Sequence, residues 1–153
     1  MIFLDDKTVF LSDNCLFYYL LSGNGELVKE SSTIFNYLSY RKYNKKIVLP
    51  PTFYQQLKKL FEKDIESLLY FKNYFENAEY TNNFNDGKKE LLVLAKVLRT
   101  LNEKVFVISN SLEGDLPFKN ELDKMQVSLF SIHEVYSYLS GKKDFKDYIE
   151  AKQ

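Results

Sequence analysis

Four short apolar runs, each separated from the next by a helix-like stretch, constrain the fold of this chain most strongly. The runs span 8–11, 46–49, 104–108 and 127–132, and they are rich in β-branched or aromatic residues and end at polar residues or proline. Such runs are typical of buried strands. Because parallel strands need crossover helices between them, this order predicts an α/β protein: a three-layer α/β/α sandwich around a central, mostly parallel sheet of four or five strands.

The segments between the runs have the apolar spacing of helices. A first helix is expected over 16–21 and a second from 31–33 to about 43–44. Pro51 suits the first turn of a third helix, because proline at that position loses no hydrogen bond. Apolar residues then keep a helical period through a long segment, 53–80. Further helices are expected over 90–101, 117–124 and 134–139.

Size and composition predict one cytoplasmic domain. A length of 153 residues and an apolar fraction of 45% suit a single domain with one core, residues 1–153. The 21 basic and 21 acidic residues cancel, so nucleic-acid binding would depend on a local cluster. No apolar run approaches the roughly 18 residues that a membrane span requires, so no membrane partner is expected. Cys15, the single cysteine, and the absence of a leader-like start predict a cytoplasmic location.

Polar side chains follow several of the predicted strands. Asp13 and Asn14 follow the first run, Ser111 and Asp115 the third, and His133 the fourth. The carboxyl ends of parallel strands share one edge of a sheet, and ligands bind at that edge in open α/β folds. The sequence therefore predicts a candidate site there.

The order of strands and helices resembles that of the PIN domain, a nuclease fold of similar length, over nearly the whole chain. The resemblance implies carboxylates that hold Mg²⁺ or Mn²⁺, which polarise a phosphate and activate water. On the matching positions it implies Asp13, Glu90 and Asp115 as metal ligands, with Asn14 and Ser111 orienting phosphate or water.

The chain departs from the family's acidic pattern at three of four motif positions. Serine replaces the first acid at Ser12 and the fourth at Ser109, and neutral amides occupy the place of the second at 55–56. Glu90 alone matches well, while Asp13 and Asp115 are displaced substitutes. We therefore expect a degenerate centre that binds Mg²⁺ or Mn²⁺ weakly or not at all.

Each candidate also has a structural interpretation. Asp13 suits a helix cap and Asp115 a turn, while Glu90 suits the solvated first turn of a helix. His133 suits a helix start, and without a placed carboxylate partner it is a poor general base. Cys15 is expected to be a small buried residue. No zinc arrangement of Cys and His exists, and without a Gly-rich phosphate loop no dinucleotide is expected.

One basic cluster interleaved with tyrosines is a candidate nucleic-acid interface. Phosphates attract cations and unpaired bases stack on aromatic rings, although a solvated loop has a similar composition. The cluster consists of Arg41, Lys42, Lys45 and Lys46.

Three functions follow from these observations. The first expectation is a PIN-like domain with weak or absent nuclease activity that acts mainly as a protein-binding or RNA-binding module. The alternative is an active, Mg²⁺- or Mn²⁺-dependent single-stranded ribonuclease of the toxin-antitoxin type, in which Asp86 replaces a missing acid. The third is a structural or dimerisation module that uses Tyr70 and Tyr74. A receiver-like or TIR-like sandwich stays open as a different fold.

Overall fold

A computed structural model of the chain describes residues 8–23, 25–39, 46–62, 64, 75–77, 87–101 and 104–152. Within this part, five strands and seven helices have defined bounds. In chain order they are β1 (Thr8–Ser12), α1 (Cys15–Ser22), α2 (Val28–Ser39), β2 (Lys46–Leu49), α3 (Pro51–Leu60), β3 (Phe75–Asn77), α4 (Gly87–Leu101), β4 (Lys104–Ile108), α5 (Leu116–Lys124), β5 (Ser128–Phe130), α6 (Ile132–Ser140) and α7 (Lys143–Lys152).

The five strands form one parallel sheet in the order β3-β2-β1-β4-β5. β1 lies at the centre, where Phe10 is in register with Ile47 of β2 and with Phe106 of β4. The chain builds the sheet outward from β1 to β3 and then returns to the other side of β1. Such a reversal leaves a crevice between the carboxyl ends of the two strands that flank it, here β1 and β4.

Helices cover both faces of the sheet, which confirms the predicted three-layer arrangement. Side chains alternate between the faces along each strand. Phe10 and Ile47 belong to a core shared with α1, α2, α6 and α7. Val9 and Val48 point to the opposite face, where they pack with α4 and α5.

The aromatic residues concentrate in the first of these cores. The ring of Phe106 stacks on Phe10, with centroids 5.4 Å apart, and on Phe130, at 5.2 Å. Tyr138 of α6 covers Phe106 at 4.9 Å. The stack joins β1, β4 and β5 beneath one helix, so the high aromatic content serves the core.

The predicted long helical segment 53–80 is confirmed over 53–60, is broken at 61–62 and is wrong at 75–77, while 63, 65–74 and 78–80 lie outside the described residues. α3 ends at Leu60, and the backbone of Phe61 leaves the helical conformation, with φ −134° and ψ 52°. Residues 75–77 then form β3, in which Glu76 is in register with Val48. A strand of three residues is too short to show an alternating pattern, and its pairing with β2 is a tertiary interaction that helical spacing does not reveal.

Two further helix predictions need correction. α2 begins at Val28, so the predicted cap at 31–33 lies inside the helix. There the Thr33 hydroxyl donates to the Lys29 carbonyl at 2.8 Å, a bond to the preceding turn that lets threonine sit within a helix. α7 was not predicted at all. Among the helices that the structure describes, none combines the length and apolarity needed to cross a membrane.

Candidate functional site

Asp13 joins the two central strands at their carboxyl ends. Its side chain is buried, and Oδ1 accepts a hydrogen bond from the Cys15 backbone N–H at 2.8 Å, which caps the first turn of α1. Oδ2 accepts from the Ser109 hydroxyl, directly after β4, at 2.5 Å. The Asp13 N–H also donates to the Ile108 carbonyl at 3.1 Å. The helix-cap interpretation of Asp13 is therefore confirmed, with an additional link across the crevice.

Ser109 organises the loop that follows β4. Its buried Oγ donates to Asp13 and accepts from the backbone N–H groups of Ser111 and Leu112, at 3.2 and 3.1 Å. The exposed Ser111 hydroxyl lies 3.4 Å from Oδ2 of Asp13. The structure thus brings Ser111 to Asp13, as predicted. The sequence pattern indicates only that Ser109 replaces an acid of the family motif. Its role in the loop depends on a contact with Asp13, 96 positions away, which the pattern does not reveal.

Asn14 connects α1 to α3 rather than facing Asp13. Its side-chain Nδ2 donates to Oε1 of Gln56 at 3.0 Å, and it makes no capping hydrogen bond to α1. Gln56 belongs to the pair of amides where the family resemblance would place an acid. A neutral amide pair therefore links the start of α1 to the second turn of α3.

Glu90 reaches from α4 to the start of α3. Its Oε1 accepts from the Thr52 backbone N–H and its Oε2 from the Thr52 hydroxyl, both at 2.9 Å. The α3 cap position is Pro50, which supplies no side-chain hydrogen bond, and Pro51 follows. Glu90 supplies the missing acceptor and is only 2% exposed. The interpretation of Glu90 as a solvated first-turn acid is wrong, because α3 covers it.

Asp115 caps α5 and also binds α4. Oδ1 accepts from the Phe118 N–H at 3.1 Å, and Oδ2 accepts from Nζ of Lys88 at 2.8 Å. The hydrogen bond from Lys88, followed by that from the Phe118 N–H, lowers the pKa of Asp115 below its ordinary value. Its placement agrees with the interpretation as a turn residue.

Cys15 lies next to Asp13 with its thiol held in the neutral form. Burial raises the pKa of the Cys15 thiol well above its usual range, and the negative charge of Asp13 raises it further. Because the thiolate is the reactive form, this thiol is a poor nucleophile and a poor metal ligand.

His133 has a carboxylate partner, contrary to the prediction. Its Nδ1 lies 3.0 and 3.1 Å from the two carboxylate oxygens of Glu30, which comes from α2. The histidine starts α6, as predicted, behind a capping box formed by Ser131 and Glu134. The side chain of His133 is 68% exposed, so this pair lies at the surface and contributes little to stability.

The predicted site residues are therefore distributed over three helix starts. Asp13 and Ser111 come together, Glu90 is engaged by α3, and Asp115 by α5 and Lys88. In the described ranges, no group of three or more His, Cys, Asp and Glu side chains is placed to hold a metal ion. Several predicted residues lie outside those ranges: Arg41, Lys42, Lys45, Tyr70, Tyr74 and Asp86, together with the side chain of Lys46.

The fold and this edge of the sheet define a parallel α/β domain whose polar residues gather at helix starts. Comparison of the chain with protein-family models and with curated proteins found no match.

Proposed function

We propose that this protein is a PIN-like domain whose carboxylates stabilise the fold, and that it acts by binding a macromolecular partner rather than by hydrolysing RNA. The observation that carries the proposal is shared by Asp13, Glu90 and Asp115: each uses both carboxylate oxygens to accept hydrogen bonds from its own chain. The sheet order and the positions of these acids at helix starts support the PIN-like assignment.

Metal binding at Asp13 would compete with the fold. A divalent cation takes carboxylate oxygens as direct ligands. Asp13 is buried and each of its oxygens already accepts a hydrogen bond, so a cation would have only the remaining lone pairs and would weaken the bonds from the Cys15 N–H and the Ser109 hydroxyl. A buried donor left without an acceptor costs about 1–3 kcal/mol, and Glu90 faces the same cost at Thr52. The geometry favours structural carboxylates over an open metal centre.

Two measurements on the same preparation test this proposal. Calorimetric titration with Mn²⁺ and Mg²⁺ should give no binding heat at millimolar ion, and a labelled single-stranded RNA should stay intact under the same ions. Asp13→Asn should lower the melting temperature, because its amide cannot accept from both Cys15 and Ser109. Asp123→Asn, the same substitution at an exposed position on α5, serves as the matched variant and should melt like the wild type.

The alternative function, an active metal-dependent ribonuclease, predicts the opposite results. Cleavage that requires Mn²⁺ or Mg²⁺, stops with chelator and is lost in Glu90→Gln while the variant stays folded would overturn the proposal. It would establish a working centre built from displaced acids.

A further inference from the structure

The outer face of α4 carries an apolar line that the rest of the chain covers only in part. Val93, Val97 and Leu101 follow one another at intervals of four residues, which places them along one side of a helix. They are 36%, 40% and 74% exposed. The same helix already buries Leu91 and Leu94 against the sheet. Leu101 lies seven residues after Leu94, so the line extends the buried face of α4 onto its exposed surface, and an apolar strip that widens in this way is typical of a contact with a partner.

The exposed charges of α4 beside this line are positive. Lys89 and Lys96 lie on the same exposed face, and neither forms an ion pair with a described residue. The single acid of α4, Glu90, lies on the same side of the helix as Val97, seven residues earlier, but it is buried and both its oxygens bind Thr52. The outer face of α4 therefore combines aliphatic contacts with unneutralised cations.

We propose that the outer face of α4 binds an acidic amphipathic helix of a partner protein, an inference that rests on the binding function proposed above. The aliphatic side chains of such a helix would cover Val93, Val97 and Leu101. Its carboxylates would lie beside Lys89 and Lys96, which fixes orientation and speeds association.

Charge argues against a second copy of the chain as the occupant. A two-fold contact through α4 would bring the same lysines from both copies into one interface, where like charges repel. The chemistry of the face also disfavours RNA. Single-stranded RNA binders stack bases on aromatic rings, whereas the exposed apolar residues here are aliphatic.

Fluorescence anisotropy with a designed peptide tests the inference on the full chain. The probe is a fluorescein-labelled helical peptide of about 20 residues, with leucines along one side and glutamates flanking them. We expect it to bind about tenfold more tightly than a scrambled peptide of the same composition. A version with lysines in place of the glutamates should bind no better than the scrambled peptide. Raising the salt concentration from about 50 mM to about 500 mM should raise the dissociation constant of the acidic peptide several-fold, because salt screens the charges.

Surface variants locate the contact, with circular dichroism to confirm that each is folded. Val97→Glu should raise the dissociation constant about tenfold, and Lys96→Glu about threefold or more. Two matched controls lie elsewhere: Leu60→Glu on α3, at a position 66% exposed, and Lys146→Glu on α7. Both should stay within about twofold of the wild type.

Each of the following outcomes would overturn the inference. One is equal binding of the acidic and scrambled peptides. Another is an equal rise in the dissociation constant for Val97→Glu and Leu60→Glu. Displacement of the peptide by a single-stranded uridine oligonucleotide, or a dimer that Val97→Glu dissociates in light scattering, would assign the face to RNA or to a second copy. RNA cleavage by the wild type would contradict the proposed function and leave the peptide result unchanged. Failure of peptide binding in a protein that does not cleave RNA would overturn this inference alone.

Discussion

Glu90 and Thr52, 38 residues apart in sequence, are joined by two hydrogen bonds of 2.9 Å each. The carboxylate lies at the positive end of the α3 dipole and satisfies an N–H group in its first turn. A helix that begins with two prolines is thus capped by a residue of another helix. The bond pair ties α3 to α4.

Replacing this carboxylate should destabilise the protein. Glu90→Ala leaves the Thr52 N–H without its acceptor and should lower the free energy of unfolding by about 1–3 kcal/mol, measured by urea denaturation. Glu90→Gln keeps one acceptor oxygen and should cost less. Glu150→Ala, at an exposed position on α7, is the control and should stay within about 0.5 kcal/mol of the wild type. Equal losses for Glu90→Ala and Glu150→Ala would contradict the capping role.

Gly87 should tolerate no side chain, because the ring of Phe53 occupies the space. A Cβ atom at Gly87 would lie 2.6 Å from Cζ of Phe53, whereas one at Gly114 would meet nothing within 4 Å. We expect Gly87→Ala to lower the free energy of unfolding by about 1–3 kcal/mol. Gly114→Ala should show no such loss. Adding Phe53→Leu to Gly87→Ala should recover part of the stability, and a double variant less stable than either single variant would argue against the steric explanation.

Asp115 should make stability fall at acid pH. The hydrogen bond from Lys88 lowers the folded-state pKa of Asp115, so the unfolded chain binds more protons there as the pH falls. The stabilisation that the ionised Asp115 gives the folded state is complete above the ordinary pKa of its carboxyl group, near 3.8. It is lost as the pH drops through the lower folded-state pKa. Asp115→Asn should therefore melt below the wild type at pH 7, and the difference should shrink toward pH 2. A difference that stays constant over this range would rule out the ionised pair as its source.

The Cys15 thiol should react slowly in the native protein. Burial and the neighbouring Asp13 carboxylate raise its pKa, so little thiolate exists at neutral pH. Iodoacetamide labelling at pH 8, followed by mass spectrometry, should be far slower in buffer than in denaturing urea. Equal rates in the two conditions would show that the thiol is accessible and ionised.

The sequence predicted the sheet better than the site. The strand bounds at 46–49 and 104–108 match β2 and β4, because continuous β-branched and aromatic runs are what a strand buried on both faces requires. β3 escaped prediction because three residues at the sheet edge show no alternation. α2 was placed too late, since Ser and Thr occur both at caps and, with bonds to the preceding turn, inside helices.

The site could be predicted only where its contacts are local. Asp13 and Asp115 accept hydrogen bonds from N–H groups two and three residues ahead, and cap chemistry predicts such bonds from spacing alone. The contacts of Glu90 with Thr52 and of His133 with Glu30 join residues 38 and 103 positions apart. They depend on how the helices pack, which the sequence pattern does not reveal.

The central position of β1 has a consequence for biosynthesis. Thr8 to Ser12 are synthesised before Lys104 to Ile108, with which one edge of this strand pairs. Closing so long a loop is slow, and until then β1 presents an unpaired apolar edge. Until β4 is made, this edge of β1 is open to pairing with other chains, and the hydrogen bond between Asp13 and Ser109 can form only after that step.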